Sequence, residues 1–390
     1  MKKVLFGTTA LVAAGMFGSA AQAAEPIKLS VGGFMNQWFA IADVESKPSA
    51  ATAREYNNVS IVSDTEVHFK GSTVLDNGLK VAVVIELEAE RTSSATARNA
   101  DQQYAELSGG WGAVSIGERF NAAQRVHTSA PGAGAGFADI TGMNSQATGS
   151  NTALGTMTTM SNSYTSVDGI ANAGRNSTAI DYVSPMFGPF AFGVTYTPAI
   201  GSRGLAVEDN SLKDLMGVAF VYADKWGPVS VNADVAYARF DHESNGTQNG
   251  SVHGVPVGLK FGYAGFEVGG SYFRIMDNVK DLASGGSTTA TSFDGKAWDA
   301  GIAYTTGPWK FGYQYFSSSH EGLASVKGKD KVSIHNAGGQ YTMGPGVVVT
   351  ANIGYQSYKD ESYTTVTNTS TGNLYERDTI MLLTGLKLNF

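Results

Sequence analysis

Seven very short turns and eight long polar connections alternate along this chain without exception, and the segments between them carry apolar residues at every second position. The short turns fall at 75–78, 109–112, 187–190, 226–228, 263–265, 306–309 and 343–346. Their Gly, Pro and Asn residues supply the positive or fixed φ that a tight hairpin requires. The long connections, at about 43–58, 92–100, 121–175, 199–212, 243–250, 278–293, 320–329 and 361–375, are rich in Ser, Thr, Asn and Gly. Fifteen connections join sixteen strands, and strict alternation puts every short turn at one end of the assembly and every long loop at the other. A sandwich of two sheets in water has no reason to segregate its loops in this way, whereas an even-stranded, closed sheet does.

The strand faces carry the same message. In the stretch 307–316, GPWKFGYQYF, Trp309, Phe311, Tyr313 and Tyr315 fall on one face and Lys310, Gly312 and Gln314 on the other, because successive side chains of a strand point to opposite sides. Leu79, Val81, Val83, Ile85 and Leu87 likewise oppose Lys80, Glu86 and Glu88, and Val347, Val349, Ile353 and Tyr355 oppose Thr350, Asn352 and Gln356. Strands of about ten residues with this dyad pattern predict a transmembrane β-barrel, apolar outward to lipid and polar inward to a lumen. Trp309, beside its turn, is expected in the interfacial girdle.

Composition and the N-terminus fit a membrane destination. Charged residues are 16% of the 390, below the quarter or so usual for a soluble surface. Lys2 and Lys3 precede the apolar run 4–17, which ends in small residues and Ala21-Gln22-Ala23. Residues 1–23 are therefore expected to be a removed secretory signal rather than an anchor, the apolar run being shorter than the ~20 residues of a spanning helix. Residues 24–390 then form a single barrel domain. The chain has no cysteine, so it is no disulfide scaffold. Removing Lys2 and Lys3 from the 27 basic residues leaves 25 against 34 acidic ones, a net charge of −9, which excludes nucleic acid as a natural partner.

Two stretches resemble a known family. The terminal LLTGLKLNF, 382–390, is similar to the closing strand of the general porins of Gram-negative outer membranes, and YAELSGGWGAVSIGERF, 104–120, resembles their hairpin of a Leu-x-Gly strand, an aromatic-Gly turn and a strand closing on Gly-Arg. The likeness covers the whole mature chain and is greatest to the trimeric, sixteen-stranded proteobacterial kind. It implies a homotrimer in outer-membrane lipid, and a final Phe390 read by the barrel assembly machinery. The hairpin departs from the family pattern where Glu118 sits between Gly117 and Arg119, which leaves open which of Glu118 and Arg119 points into the pore. The resemblance also implies that the loop after the fifth strand, 121–175, folds into the lumen and constricts it, with acids on the loop facing bases on the wall: Asp139 against Lys70, Lys80 and Arg119. The residues support the inward fold on their own. So long a loop is anomalous unless functional, and Phe137, Ile140, Met143, Met157 and Met160 would hang exposed on an outward insertion.

Strand parity then places Asp64, Glu66, Lys70, Lys80, Glu86, Glu88, Glu106, Asp181, Asp234, Lys260, Asp299 and Lys310 in the lumen. Acids outnumber bases there, and Asp139 and Asp168 balance Arg125 and Arg175 on the loop, so weak cation selectivity is expected. The expected function is passive diffusion of small polar solutes and ions, with no cofactor. No Gly-x-Ser-x-Gly, P-loop or His-Glu-x-x-His motif occurs, and the six histidines are scattered. The alternatives are a barrel lipase or protease with a Ser/His or Asp/His pair assembled across strands, and a non-conducting adhesin. Asp360 and Glu361 could hold a divalent cation, but solvated loop carboxylates usually bind nothing specific, and no metal site is assigned.

Overall fold

In the computed structural model, residues 26–47, 58–89, 100–137, 177–200, 211–244, 247–277, 294–320, 329–359 and 376–390 are described. They form sixteen strands and one short helix: β1 Lys28–Lys47, β2 Val59–Val74, β3 Lys80–Glu88, β4 Ala100–Gly109, β5 Gly112–Glu118, α1 Ala122–Val126, β6 Thr178–Val183, β7 Phe190–Ala199, β8 Ser211–Trp226, β9 Val229–Ser244, β10 Thr247–Tyr263, β11 Phe266–Asp277, β12 Gly295–Thr306, β13 Trp309–His320, β14 Asp330–Gly344, β15 Val347–Lys359 and β16 Glu376–Asn389. Each strand pairs antiparallel with its sequence neighbours, and β1 closes the barrel against β16. Closure removes every sheet edge, the only way a sheet can satisfy its backbone polar groups in hydrocarbon. At the seam the Gly33 N–H donates to the Phe390 carbonyl at 2.9 Å and the Phe390 N–H donates back at 3.1 Å.

The outer face is apolar as parity required. Trp309, Phe311 and Tyr313 are exposed on one strand, and Ile353, Ile380 and Leu382 on others. Trp111, Phe190, Trp226, Tyr263, Phe266, Trp309 and Tyr341 cluster at the short-turn end as an aromatic girdle. Positive φ at Gly188, Gly227 and Gly307 closes three of those turns.

Two expectations change. The connection expected at 243–250 is largely strand, since β9 runs to Ser244 and β10 starts at Thr247, the two residues pairing with each other. The inner face is also not polar throughout. Towards the long-loop end Leu215, Phe240, Val252, Phe273, Ile275, Phe316, Ile334 and Leu383 point inward and pack into a buried apolar cluster. Parity marks which side of the wall a residue occupies, and says nothing about what else fills the space inside.

Candidate functional site

The strand β5 ends in a reversal of roles. Glu118 pairs across the sheet with Gln103, whose neighbours Ile85 and Ile116 are exposed on the outer face, so Glu118 points outward. Gln103 Nε2 donates to Glu118 Oε2 at 3.1 Å, and the residue is only 2% exposed. Arg119 is the residue that turns into the lumen, which answers the question the hairpin posed. Its Nη1 lies 2.5 Å from Glu106 Oε2 and 3.1 Å from Ser115 Oγ, and its guanidinium covers the Tyr104 ring at 4.2 Å.

Beyond Arg119 the chain does not leave the barrel. Asn121 caps α1 by accepting the Gln124 N–H, and the helix packs against β6 to β9 from inside. Thr195 receives the Ala122 N–H and donates to Asp181. Asp181, 1% exposed, is thus sealed beneath the helix and does not line the open lumen. Burial, and then the neighbouring Arg119 charge, push Arg125 down to about 10, which leaves it cationic at neutral pH.

Residues 127–137 then run as a strap along the inner wall from β9 to β16, held almost entirely through backbone groups. Asp234 accepts the Thr128 N–H at 2.6 Å and meets His127 Nδ1 at 2.9 Å. Asp299 accepts the Ala130 N–H at 2.9 Å, and Gln314 Nε2 donates to the Ala130 carbonyl at 2.8 Å. Asn352 accepts from the Ala135 N–H and donates to the Ala133 carbonyl, both at 2.9 Å. Asn336 donates to the Ala135 carbonyl at 2.6 Å, and Lys387 Nζ to the Gly134 carbonyl at 2.9 Å. Phe137 ends the strap against Phe316, ring centroids 5.6 Å apart. A track of glycines admits it: a Cβ on Gly258, Gly301, Gly312 or Gly338 would lie 2.1–2.8 Å from strap backbone atoms. Asp234 and Asp299 therefore anchor the strap instead of presenting charge to the bore.

The lumen charges that remain are arranged in two groups. On β2 to β5 stand Asp64, Glu66, His68, Lys70, Lys80, Glu86, Glu88, Glu106 and Arg119. Lys70 Nζ is 3.2 Å from Glu86, Gln102 holds the other Glu86 oxygen at 2.6 Å, and Asn36 donates to Asp64 at 3.2 Å. On the far wall Lys260 and Lys310 grip Glu267 at 3.4 and 3.2 Å. Glu267 and Lys387 were absent from the sequence-derived set, although Phe266-Glu267-Val268 and Leu386-Lys387-Leu388 carry the same parity signal. Asp139 and Arg175 lie outside the described residues, as do Asp168 and the 1–23 leader.

A Ser/His contact does occur. Ser251 Oγ is 3.0 Å from His253 Nε2, but on the outer wall, and a phenol, Tyr237, rather than a carboxylate meets the other ring nitrogen.

The comparisons agree with this architecture. The anion-selective porin of Comamonas acidovorans is 15% identical with a TM-score of 0.61, the alignment covering 94% of this chain and all of that one. The outer membrane channel DcaP of Acinetobacter baumannii is 14% identical, TM-score 0.59, covering 96% of this chain and 99% of that one. The trimer form of OmpT from Vibrio cholerae is 12% identical, TM-score 0.58, covering 95% and 100%. At such identities the likeness speaks for the fold. No curated protein matches the sequence. A family model described as Gram-negative porin matches residues 7–361. This chain, a closed sixteen-stranded barrel of the outer membrane, belongs to the Gram-negative porin family.

Proposed function

We propose that the barrel is a water-filled channel through which small hydrophilic solutes and ions diffuse passively, between an acid-rich wall on β2 to β4 and a lysine-bearing wall on β10 to β16. The observation that carries this is the band of charged side chains on the inner face of β2 to β5 (Glu66, Lys70, Glu86, Glu106, Arg119) inside a barrel whose outer face is apolar. Ionisable groups at membrane depth are costly unless they line a water path. Nothing in this account requires a catalytic cycle.

The cation preference is weak. With Asp181, Asp234 and Asp299 committed to the helix and strap, the acid excess expected from parity shrinks to a near balance among the described lumen residues. The preference then rests on the acids of the β2 to β4 wall, Asp64, Glu66, Glu86, Glu88 and Glu106. It is to fade as salt screens them over ~10 Å at 0.1 M.

The chain is proposed to assemble as a homotrimer through the outer face of β1 to β5. There Gln37 donates to Ser63 at 2.6 Å, Gln103 and Glu118 pair, and a dent of ≈ 350 Å³ opens between Ile85, Ala105 and Ile116. Amides and a carboxylate suit a protein contact better than acyl chains. Phe390, exposed at the closing strand, is proposed as the residue the barrel assembly machinery reads.

Planar-bilayer recording tests the channel: folded protein should insert in discrete conductance steps, and liposomes containing it should swell in small sugars. Sugar binding without permeation would favour the adhesin instead, and hydrolysis of phospholipid or peptide lost in His253→Ala would favour the enzyme.

A further inference from the structure

On the acid-rich wall one cluster has the make-up of a metal site. Glu66 and His68 are alternate residues of β2 and share the inner face, and His68 stands directly opposite Glu86 on β3. Each offers a ligand atom, and the three atoms lie within 4.8 Å of one another. We propose that Glu66, His68 and Glu86 bind one divalent transition-metal ion, of the Zn²⁺ type, on the lumen wall.

The donor set selects the class of ion. One imidazole and two carboxylates suit a borderline cation such as Zn²⁺, whereas Mg²⁺ and Ca²⁺ prefer all-oxygen shells. Bonds of about 2.0–2.2 Å put tetrahedral ligand atoms roughly 3.5 Å apart. The observed spread therefore closes by side-chain rotation without moving the strands. The fourth position faces the lumen, since the three side chains keep 11–17% exposure and lie on the inner face.

The surrounding residues hold the ligands in place. Gln102 fixes Glu86 Oε2 at 2.6 Å and leaves Oε1 towards His68 Nδ1, 3.8 Å away. The Phe34 ring meets the imidazole edge-on, centroids 6.0 Å apart, which sets its plane. Such outer partners orient metal ligands and raise affinity. Glu88 faces Glu66 across the strands, so a third carboxylate adjoins the site. Like charges opposed in this way repel, and a divalent cation offsets that.

Without metal, His68 Nε2 sits 2.7 Å from Glu66 Oε2 and Lys70 Nζ 3.2 Å from Glu86 Oε1. These contacts already compensate part of the negative charge. The ion replaces the first contact, any proton on the coordinating nitrogen passing to solvent. It also displaces Lys70, whose half-exposed side chain can swing into the lumen. Competition from these groups sets a moderate affinity, suited to reversible loading.

The test is isothermal titration of ZnCl₂ into the folded, detergent-solubilised full chain, which reads binding whether or not the barrel conducts. One ion per chain is expected, with dissociation constants raised at least tenfold in His68→Ala and in Glu66→Gln, and unchanged in His335→Ala on the outer wall. Migration on unboiled gels reports folding, and Glu66→Gln carries the comparison should His68→Ala fail to fold. In bilayers, micromolar Zn²⁺ should shift the wild-type reversal potential towards anions and leave Glu66→Gln unmoved. Absence of stoichiometric uptake by the wild type, wild-type affinity in the two site variants, or loss of binding in His335→Ala would overturn the proposal.

Discussion

Asp299 on β12 accepts the backbone N–H of Ala130 at 2.9 Å, a contact between residues 169 positions apart that ties the strap to the far wall of the barrel. Asp234 does the same for Thr128 at 2.6 Å. Orphaning a buried N–H costs about 1–3 kcal/mol, so the double variant Asp234→Ala plus Asp299→Ala should loosen the strap while the sixteen strands still close. Bilayer recordings should then show noisier open-channel current and an altered unitary conductance. A quiet channel of wild-type conductance would contradict the anchoring role.

The glycine track gives an independent route to the same phenotype. A Cβ at Gly258 would lie 2.1 Å from the Thr128 carbonyl oxygen and 2.6 Å from Asp234 Oδ1. Gly258→Val should therefore displace the strap at its first anchor. Its effect on conductance should be far from additive with Asp234→Ala, because both act on one contact. Additive effects would show that the two residues act separately.

Selectivity depends on the Arg119–Glu106 pair, 2.5 Å apart in the lumen. Arg119→Ala leaves a carboxylate without its guanidinium, so cation preference at low salt should rise, whereas Glu106→Gln should lower it. Reversal potentials in a tenfold KCl gradient check both signs, and Glu86→Gln plus Glu88→Gln should move the same way as Glu106→Gln. Opposite shifts in these variants would overturn the wall assignment.

The outer face is tested by charge. Ile353 is 58% exposed near the middle of β15, and an arginine at a lipid-facing midplane position costs about 2–4 kcal/mol. Ile353→Arg should lower stability in a urea titration of the lipid-folded protein by that order, and a neutral result would place Ile353 away from lipid. Ile116, 54% exposed on β5, lies on the proposed subunit contact. Ile116→Arg should convert the unboiled band from trimer to monomer, and a persistent trimer would remove β5 from the interface.

Much of this was legible before the fold was known. Parity alone assigned Trp309, Phe311 and Tyr313 to lipid and Lys70, Glu86 and Lys310 to the lumen, because a strand offers only two sides. Parity could not tell that Asp181, Asp234 and Asp299 would be covered, since the helix and strap that cover them lie more than fifty residues away in sequence, on a segment with no periodic pattern. The same blindness hid the apolar inner cluster around Phe273 and Phe316. Glu118 and Arg119 were undecidable for a local reason. Gly117 adopts φ +136°, and the strand ends one residue later, so simple alternation stops at that point.

An open aqueous path through a charged lumen must carry ions, and single-channel recording in a planar bilayer measures that current. Purified, folded wild-type protein should produce discrete, ohmic steps whose size grows nearly in proportion to KCl concentration. Its zero-current potential in a gradient should be small, of cation sign, and smaller still at high salt. Folded protein that inserts without passing current would contradict the account.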